Sequence, residues 1–520
     1  MDFGSILRRS ASIFRNNGAV LFEGRRLTYA ELYERSCRLA SALNKLGLRK
    51  GDRVAVLGDN MLETLEEICA FALAGLVRTT LYTQNTPEVQ IYMLNLTGAR
   101  ALIVEDSYYA NLAARISEAR DLEHVIAHGG GDRAIDYDEL IEGTTPEDPE
   151  VPISDEDLFA IRFSAGTTGR PKAIAHTVGA WRAMVTDFAL VVPRMDEDDT
   201  FLVAGPLSHG AGTIVWPMVS FGVKQVLLPA FDPSHVLELI ERERCTVTFL
   251  VPTLIQKVVN HPDAKKRDLS SLKAVFYGAA PIAEQTLLEA QATWGNIMYQ
   301  IYGQTEGGPA TVLTPRHHVV DGTERERRWL RSAGRPCPNA LIKILDDSGR
   351  DLPTGKVGEI TIKTPGIMKE LWADPEATAQ RLSKDGWLST RDLGYLDEEG
   401  FLFIADRKED MIISAGFNIW PAEIENALFS HPAVLEAVVV GVPHETLGET
   451  PKAVVVFREG QQATEDELIV WCRGKIGSTK EPSSVEFRDE PLPKSSAGKV
   501  LRRVVREAYW EGAERRVSGA

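Results

Sequence analysis

The sequence predicts an α/β protein: a large N-terminal domain of two mostly parallel, helix-covered sheets plus a β-rich subdomain, then a small, mobile α+β domain. Three observations predict it. Strand-like and helix-like runs alternate up to about residue 330, a rhythm that means parallel sheets covered by helices. Short strands broken by Gly, Pro and Asp follow, which marks a β-rich part. Beyond Arg407 the pattern changes again, to a compact α+β unit of roughly a hundred residues.

Taken in order, the run LTYAELYERSCRLASALNKLG from Leu27 holds a capping box in Thr28 and Glu31. Its Leu32, Leu39 and Leu43 keep helical spacing, and Gly47 ends it. A strand is expected over Arg53–Leu57. Helices are then expected at 62–74, 233–243, 253–260 and 282–293, and strands at 101–104, 224–228, 246–250 and 273–277. The β-rich part offers strands at Leu341–Leu345, Val357–Lys363 and Phe401–Ile404. The last unit reads as a helix at 421–429, valine-rich strands at 434–442 and 451–457, a helix at 464–475 and a strand at 484–488. These changes divide the chain at 1–406 and 407–520, and the short charged junction near 406–410 reads as a hinge rather than a tether.

With 520 residues, 44% hydrophobic and 25% charged, the composition is that of a soluble globular protein. No apolar run is long enough for a transmembrane segment, and Met1 to Ser10 is not a secretory leader. Cys37, Cys69, Cys245, Cys337 and Cys472 lie far apart, with no CxxC pair and no His at ligand spacing. Neither a disulfide framework nor a zinc site is therefore expected, and a reduced cytoplasm is the natural home. The net charge of −16 argues against a nucleic-acid partner. A monomer or homodimer acting on small molecules is expected, and any polyphosphate must meet a local cradle.

The first such cradle is Ser164-Ala165-Gly166-Thr167-Thr168-Gly169-Arg170-Pro171-Lys172, after a strand-like run from Leu158 to Phe163. Backbone N–H groups and hydroxyls in such a loop can surround phosphate oxygens, and Lys172 adds charge. It matches neither GxxxxGK[ST] nor GxGxxG, and on composition alone a Gly/Thr surface loop explains it equally well.

These nine residues resemble the phosphate loop of the adenylate-forming superfamily of acyl-CoA synthetases, adenylation domains and beetle luciferases. Further matches run in the family's order from near Leu27 to Arg503. The resemblance implies roles that no residue would carry alone. In Tyr302-Gly303-Gln304-Thr305-Glu306, after a strand-like Ile297–Ile301, it places the aromatic on adenine, Thr305 on the α-phosphate and Glu306 on magnesium. Hard Mg²⁺ suits a carboxylate plus phosphate oxygens. Gly278-Ala279-Ala280-Pro281 resembles the segment that walls adenine and the acyl pocket. Ser389-Thr390-Arg391-Asp392-Leu393-Gly394 resembles the motif whose Asp binds the ribose hydroxyls, a task for an acceptor-only carboxylate.

Asp406-Arg407-Lys408-Glu409-Asp410 is similar to the interdomain signature, with Arg407 expected on the ribose and Glu409 at the pivot, where relatives mostly carry Asp or Lys. Lys494-Ser495-Ser496-Ala497-Gly498-Lys499 resembles the loop whose second lysine bridges carboxylate and α-phosphate, which makes Lys499 the catalytic candidate. His209, in Pro206-Leu207-Ser208-His209-Gly210-Ala211-Gly212, stands where acid–CoA ligases often have an aromatic gate. Amino-acid adenylating domains have an Asp there, so an amino-acid substrate is disfavoured. Gly416, in Ser414-Ala415-Gly416-Phe417, resembles the glycine that lets pantetheine pass the backbone.

The function so implied is an ATP-dependent carboxylic acid–CoA ligase using ATP, Mg²⁺ and coenzyme A. Acid and ATP give acyl-AMP and pyrophosphate; the CoA thiol then gives acyl-CoA and AMP after the small domain turns. A carrier-protein phosphopantetheine as acceptor, or an inactive nucleotide-binding sensor, are the alternatives. The acid is expected to be fatty or aromatic, in a pocket walled by His209, Gly210, Val215, Tyr277, Gly278, Gly303 and Gly308, and Gly307-Gly308 suggests room for a bulky acyl or aryl group.

Overall fold

Thr28 and Glu31 do cap the helix Tyr29–Lys45: Glu31 N donates to Thr28 Oγ1 at 3.2 Å and Thr28 N to the Glu31 carboxylate at 2.7 Å. The computed structural model describes residues 2–129, 134–164, 170–407, 410–414, 417–444, 446–494 and 499–510. Helices Leu62–Ala74 and Pro233–Glu243 have the bounds the sequence predicts, and Pro252–Val259 and Glu284–Trp294 begin within two residues of theirs.

Two large sheets organise the body. One has nine strands: Arg335–Pro336, Gly308–Leu313, Met298–Gln304, Ala274–Gly278, Val247–Leu250, Thr200–Val203, Lys224–Leu227, Gly18–Phe22 and Arg25–Thr28, in that spatial order. The other has eight: Glu370–Leu371, Lys172–Thr177, Leu158–Ser164, Val77–Thr80, Arg53–Leu57, Ala101–Glu105, His124–His128 and Ile135–Asp136. Both are parallel except towards their ends. Helices Leu62–Ala74, Val178–Val191 and Ala211–Phe221 join the facing sides of the two sheets in one core, which includes Val54, Val56, Phe71, Phe201, Trp216 and Phe276. The last two helices were not predicted. Ala211–Phe221 is apolar at nearly every position, and Val178–Val191 carries apolar Leu190 on its exposed side and Asp187 on its buried side, so neither writes a clean 3.6-residue period into the sequence.

A four-stranded antiparallel sheet follows, Leu341–Leu345, Gly358–Lys363, Leu388–Leu396 and Leu402–Arg407. The strand expected at Phe401–Ile404 runs on to Arg407, because pairing with Leu388–Leu396 carries it there and sets Arg407 opposite Asp392. From Ile412 onward the residues form their own sheet, with Gly448–Phe457 and Val434–His444 at its centre. Its alternate side chains feed two cores. Ala437, Val439, Ala453 and Val455 face helices Pro421–Phe429 and Glu465–Ile476; Val438, Val440, Val454 and Val456 face Leu492 and Val505. Among the described residues no helix is long and apolar enough to cross a membrane.

Thr28→Ala removes one side of the reciprocal cap. It is expected to lower the unfolding free energy by about 1 kcal/mol, seen as a lower urea midpoint at unchanged slope.

Candidate active site

The strand Met298–Gln304 and the strand Gly308–Leu313 form a hairpin whose turn is Thr305-Glu306-Gly307. Its first strand delivers two donors to one carboxylate: Tyr302 Oη donates to Asp392 Oδ2 at 2.7 Å, and Gln304 Nε2 donates to the same oxygen at 2.8 Å. Gln304 Nε2 also donates to Thr390 O at 2.7 Å. Across the antiparallel pair, Arg407 Nε lies 3.7 Å from Asp392 Oδ1. Burial raises the Tyr302 phenol well above its ordinary value, and the Asp392 charge adds to it.

Glu306 is buried at the turn, where Arg381 Nη1 stands 3.5 Å from its Oε1. Arg381 Nη2 donates to Gln304 Oε1 at 3.2 Å and its Nε to Ser389 O at 2.8 Å, so one guanidinium fixes the whole row. Among the described residues no cluster of three or more His, Cys, Asp or Glu could hold a metal. Glu306 therefore fits only an ion that takes most of its ligands elsewhere.

Lys499 meets this group from the far end of the chain. Its ammonium is enclosed near Asp392, Arg407, Asp410 and Arg502, and is pushed down to about 8, by burial first and by Arg407 next. Arg502, three residues on, is an ionic hub: Nη1 donates to Asp406 Oδ1 at 3.2 Å and Asp410 Oδ2 at 2.8 Å, and Nη2 to both Glu425 oxygens at 2.9 Å. It thereby touches both sides of the charged junction.

Gly278 ends its strand against Ile301, whose carbonyl oxygen would lie 2.2 Å from a Cβ at this position. Ala279 follows at φ +67, a left-handed conformation, and is exposed, while Ala280 is half-buried. Ser164 and Lys172 pair across adjacent strands and so frame the loop between them. Gly166, Thr167, Thr168 and Gly169 of that loop lie outside the described residues, as do Glu409 and Gly416.

His209 ends the loop before the helix Ala211–Phe221. Its ring stacks on Tyr82 at 4.6 Å and 22°, and Ser208 Oγ is 2.7 Å from its Nδ1. Burial, then the nearby Arg162, push it down to about 4, so the imidazole is neutral at physiological pH.

The acyl-pocket expectation needs correcting. Val215 and Tyr277 are fully buried within two different cores, and Tyr277 Oη is tied to His318 Nε2 at 2.8 Å, so neither offers a free wall. The glycines mark close packing rather than room. A Cβ on Gly303 would meet Gly308 O at 2.1 Å, one on Gly307 would meet Ile362 Cδ1 at 2.5 Å, and one on Gly308 would meet Met184 Cγ and Sδ at 2.7 Å. Of the seven expected walls, His209 does line a cavity, between the sheets.

Sequence reasoning missed Gln304, Arg381 and Arg502, whose partners lie far off in the chain. Arg78 and Arg162 were missed as well, although a signal was present for the second: one cation inside the otherwise apolar run Leu158–Phe163.

With this geometry in place, comparison with known proteins is decisive. Residues 7–372 match the family of AMP-binding enzymes, and residues 423–499 match the AMP-binding enzyme C-terminal domain. The chain belongs to the AMP-binding enzymes, the adenylate-forming superfamily. A feruloyl-CoA synthase from an Amycolatopsis species is 37% identical over 97% of this enzyme and 99% of the relative. A fatty acid–[acyl-carrier-protein] ligase, ScoC, from Streptomyces coeruleorubidus is 36% identical over 96% and 95%. Among solved structures, the amide bond synthetase McbA from Marinactinospora thermotolerans superposes with a TM-score of 0.87 at 33% identity, over 98% of this chain and 100% of that one. By class this AMP-binding enzyme is an AMP-forming acid–thiol ligase.

Between about 8, the Lys499 value in the native enzyme, and 10.5, its ordinary value, the unfolded chain holds a proton that the native one has released. Stability of the wild type relative to Lys499→Met is therefore expected to rise with pH across that window. Denaturant melts of the two proteins at its two ends check the sign.

Proposed function

We propose that the enzyme joins a carboxylic acid to AMP and then passes the acyl group to the thiol of coenzyme A. The observation that carries this reading is the desolvated ammonium of Lys499 beside the Tyr302–Asp392–Arg407 cluster. Attack of a carboxylate on the α-phosphate brings anion to anion, so cationic and N–H groups must already stand where charge develops. Lys499 supplies that charge between carboxylate and phosphate. Asp392 takes the ribose hydroxyls with Arg407 beside it, and Tyr302 and the Gly278-Ala279-Ala280 segment take the adenine. Ser164, Gly166, Thr167, Thr168, Gly169 and Lys172 hold the outgoing pyrophosphate, and Thr305 the α-phosphate.

Glu306 suits Mg²⁺, which binds through one or two carboxylates and otherwise through phosphate oxygens and water. Bound there, the ion would neutralise part of the triphosphate charge. Arg381, 3.5 Å from Glu306, keeps that carboxylate in the row.

The thiol step needs Lys499 out of the way. We place the pivot at Glu409, between a body of residues 1–406 and a mobile unit of 407–520, with Gly416 brought to the site by the turn. Two observations favour keeping a second reading of the acceptor. One relative named above is an acyl-carrier-protein ligase, and the solved neighbour makes amide bonds. Five buried cysteines without a disulfide suit the reducing cytoplasm.

Carboxylate-dependent exchange of labelled pyrophosphate into ATP tests the first half-reaction, and omission of CoA tests the acceptor. Lys499→Ala is expected to lose adenylation by a factor on the order of 10²–10³ while still thioesterifying a supplied acyl-adenylate. Glu409→Pro is expected to adenylate and fail to transfer. Equal loss of both steps in both variants would rule out the turning account.

A further inference from the structure

Behind His209, between the two large sheets, lies a small partly enclosed cavity walled by Phe71, Phe159, Trp181, Trp216, Thr80 and His209. Two arginines open onto it, on adjacent parallel strands. Arg78 is opposite Ala160 in the register, and Arg162 stands two residues further along the second strand, so their side chains share one face of the sheet. Neither forms an ion pair among the described residues, and Arg78 Nε has no hydrogen-bond partner. Arg162 has only the Thr213 hydroxyl, 3.4 Å from Nη1, and the Trp181 ring, 5.5 Å from its guanidinium carbon. The nearest carboxylates are otherwise engaged: Glu67 with His128 at 3.2 Å and Glu306 with Arg381 at 3.5 Å.

Enclosing one guanidinium without a counterion costs several kcal/mol after relaxation. Enclosing two that repel each other costs more, and a protein keeps such a pair where an incoming anion completes it. Desolvation depresses both groups, and Arg162 lowers Arg78 and the neighbouring His209 as well. The position links the pair to the reaction. Arg162 lies two residues before Ser164, at the entrance to the phosphate loop, and feels the field of Glu306. Free space in the cavity holds about two waters, the bulk of one small polar head rather than of an alkyl tail.

We infer that Arg78 and Arg162 receive a second, distal carboxylate of the acid substrate, so that the enzyme selects acids carrying an anionic group at the end remote from the carboxylate that is adenylated. This rests on the proposed ligase reading and narrows it to a substrate class. With room in the cavity for the head alone, the spacer between the two carboxylates would lie on the near side of His209, which is neutral and would border the passage without adding charge.

Pyrophosphate exchange is measured for matched acids: octanoic against suberic, and 3-phenylpropanoic against 3-(4-carboxyphenyl)propanoic. In the wild type the diacid is expected to have the higher kcat/KM in at least one pair, by on the order of tenfold or more. In Arg78→Met and Arg162→Met that ratio is expected to fall towards one. Because methionine replaces an uncompensated buried charge, the apo variants are expected to melt no lower than the wild type. Preference for the monoacid in both pairs overturns the inference. So does equal loss of both members in the variants, which assigns the arginines to the reacting carboxylate, or a lowered melting temperature with an unchanged ratio, which makes them structural. Absence of exchange with every acid strikes the ligase reading itself instead.

Discussion

Asp392 sits where three separate stretches of chain meet, and its buried carboxylate holds them together. Tyr302 and Gln304 donate to one oxygen, Arg407 faces the other across the antiparallel pair, and Lys499 comes to the same neighbourhood from the end of the chain. A carboxylate taken out of water on its own is costly; here two neutral donors and two cations stand around it and offset that cost. The register between Leu388–Leu396 and Leu402–Arg407 is what makes the arrangement possible, since a slip of one residue would turn either Asp392 or Arg407 to the opposite face.

A few cations are enclosed in the protein among more numerous buried carboxylates, Glu63, Glu66, Glu67, Glu306 and Asp406 among them. The chain carries a net charge of −16, yet Arg78, Arg162 and Lys499 are cations inside it, while His176 and His209 beside them are pushed down to about 3 and about 4 and so stay neutral. Low surroundings of dielectric magnify such charges towards anything that enters. A small anion that enters the cavity or the site thus meets local positive charge that the acidic molecule as a whole does not offer.

How far the sequence could be read followed from where each contact originates. The capping box of Thr28 and Glu31 and the amphipathic helix Pro233–Glu243 depend on neighbours in the chain, and their bounds were legible. Helices Val178–Val191 and Ala211–Phe221 were not, since apolar residues on the outer side of the first and nearly throughout the second blur the period. At the site, the residues of the motifs were named in advance, and the structure brings Tyr302, Asp392, Arg407 and Lys499 together. Arg381, Arg502 and Arg78 were invisible because their neighbours are set by the pairing of distant strands or by packing between sheets, whereas Arg162 left the mark of a lone cation in an apolar run. Glycines misled for a related reason. Gly303, Gly307 and Gly308 read as open space, whereas each exists because another group is already pressed against it.

Arg502 shows what the joint between body and small unit would be made of. Two of its three acidic partners, Asp410 and Glu425, lie on its own side of residue 409; only Asp406 lies on the other, at 3.2 Å and itself shared with Ala422 N. A turn about residue 409, as proposed, would carry the Arg502–Asp410–Glu425 triad along intact and break the Arg502–Asp406 ion pair, the Ala422 N–Asp406 hydrogen bond at 3.0 Å and the Gln256 Nε2–Leu435 O hydrogen bond at 3.4 Å. The cost of such a turn would fall mainly on one buried carboxylate, Asp406, which would lose both its partners from the small unit at once, so whatever sits in the cleft would have to compensate it.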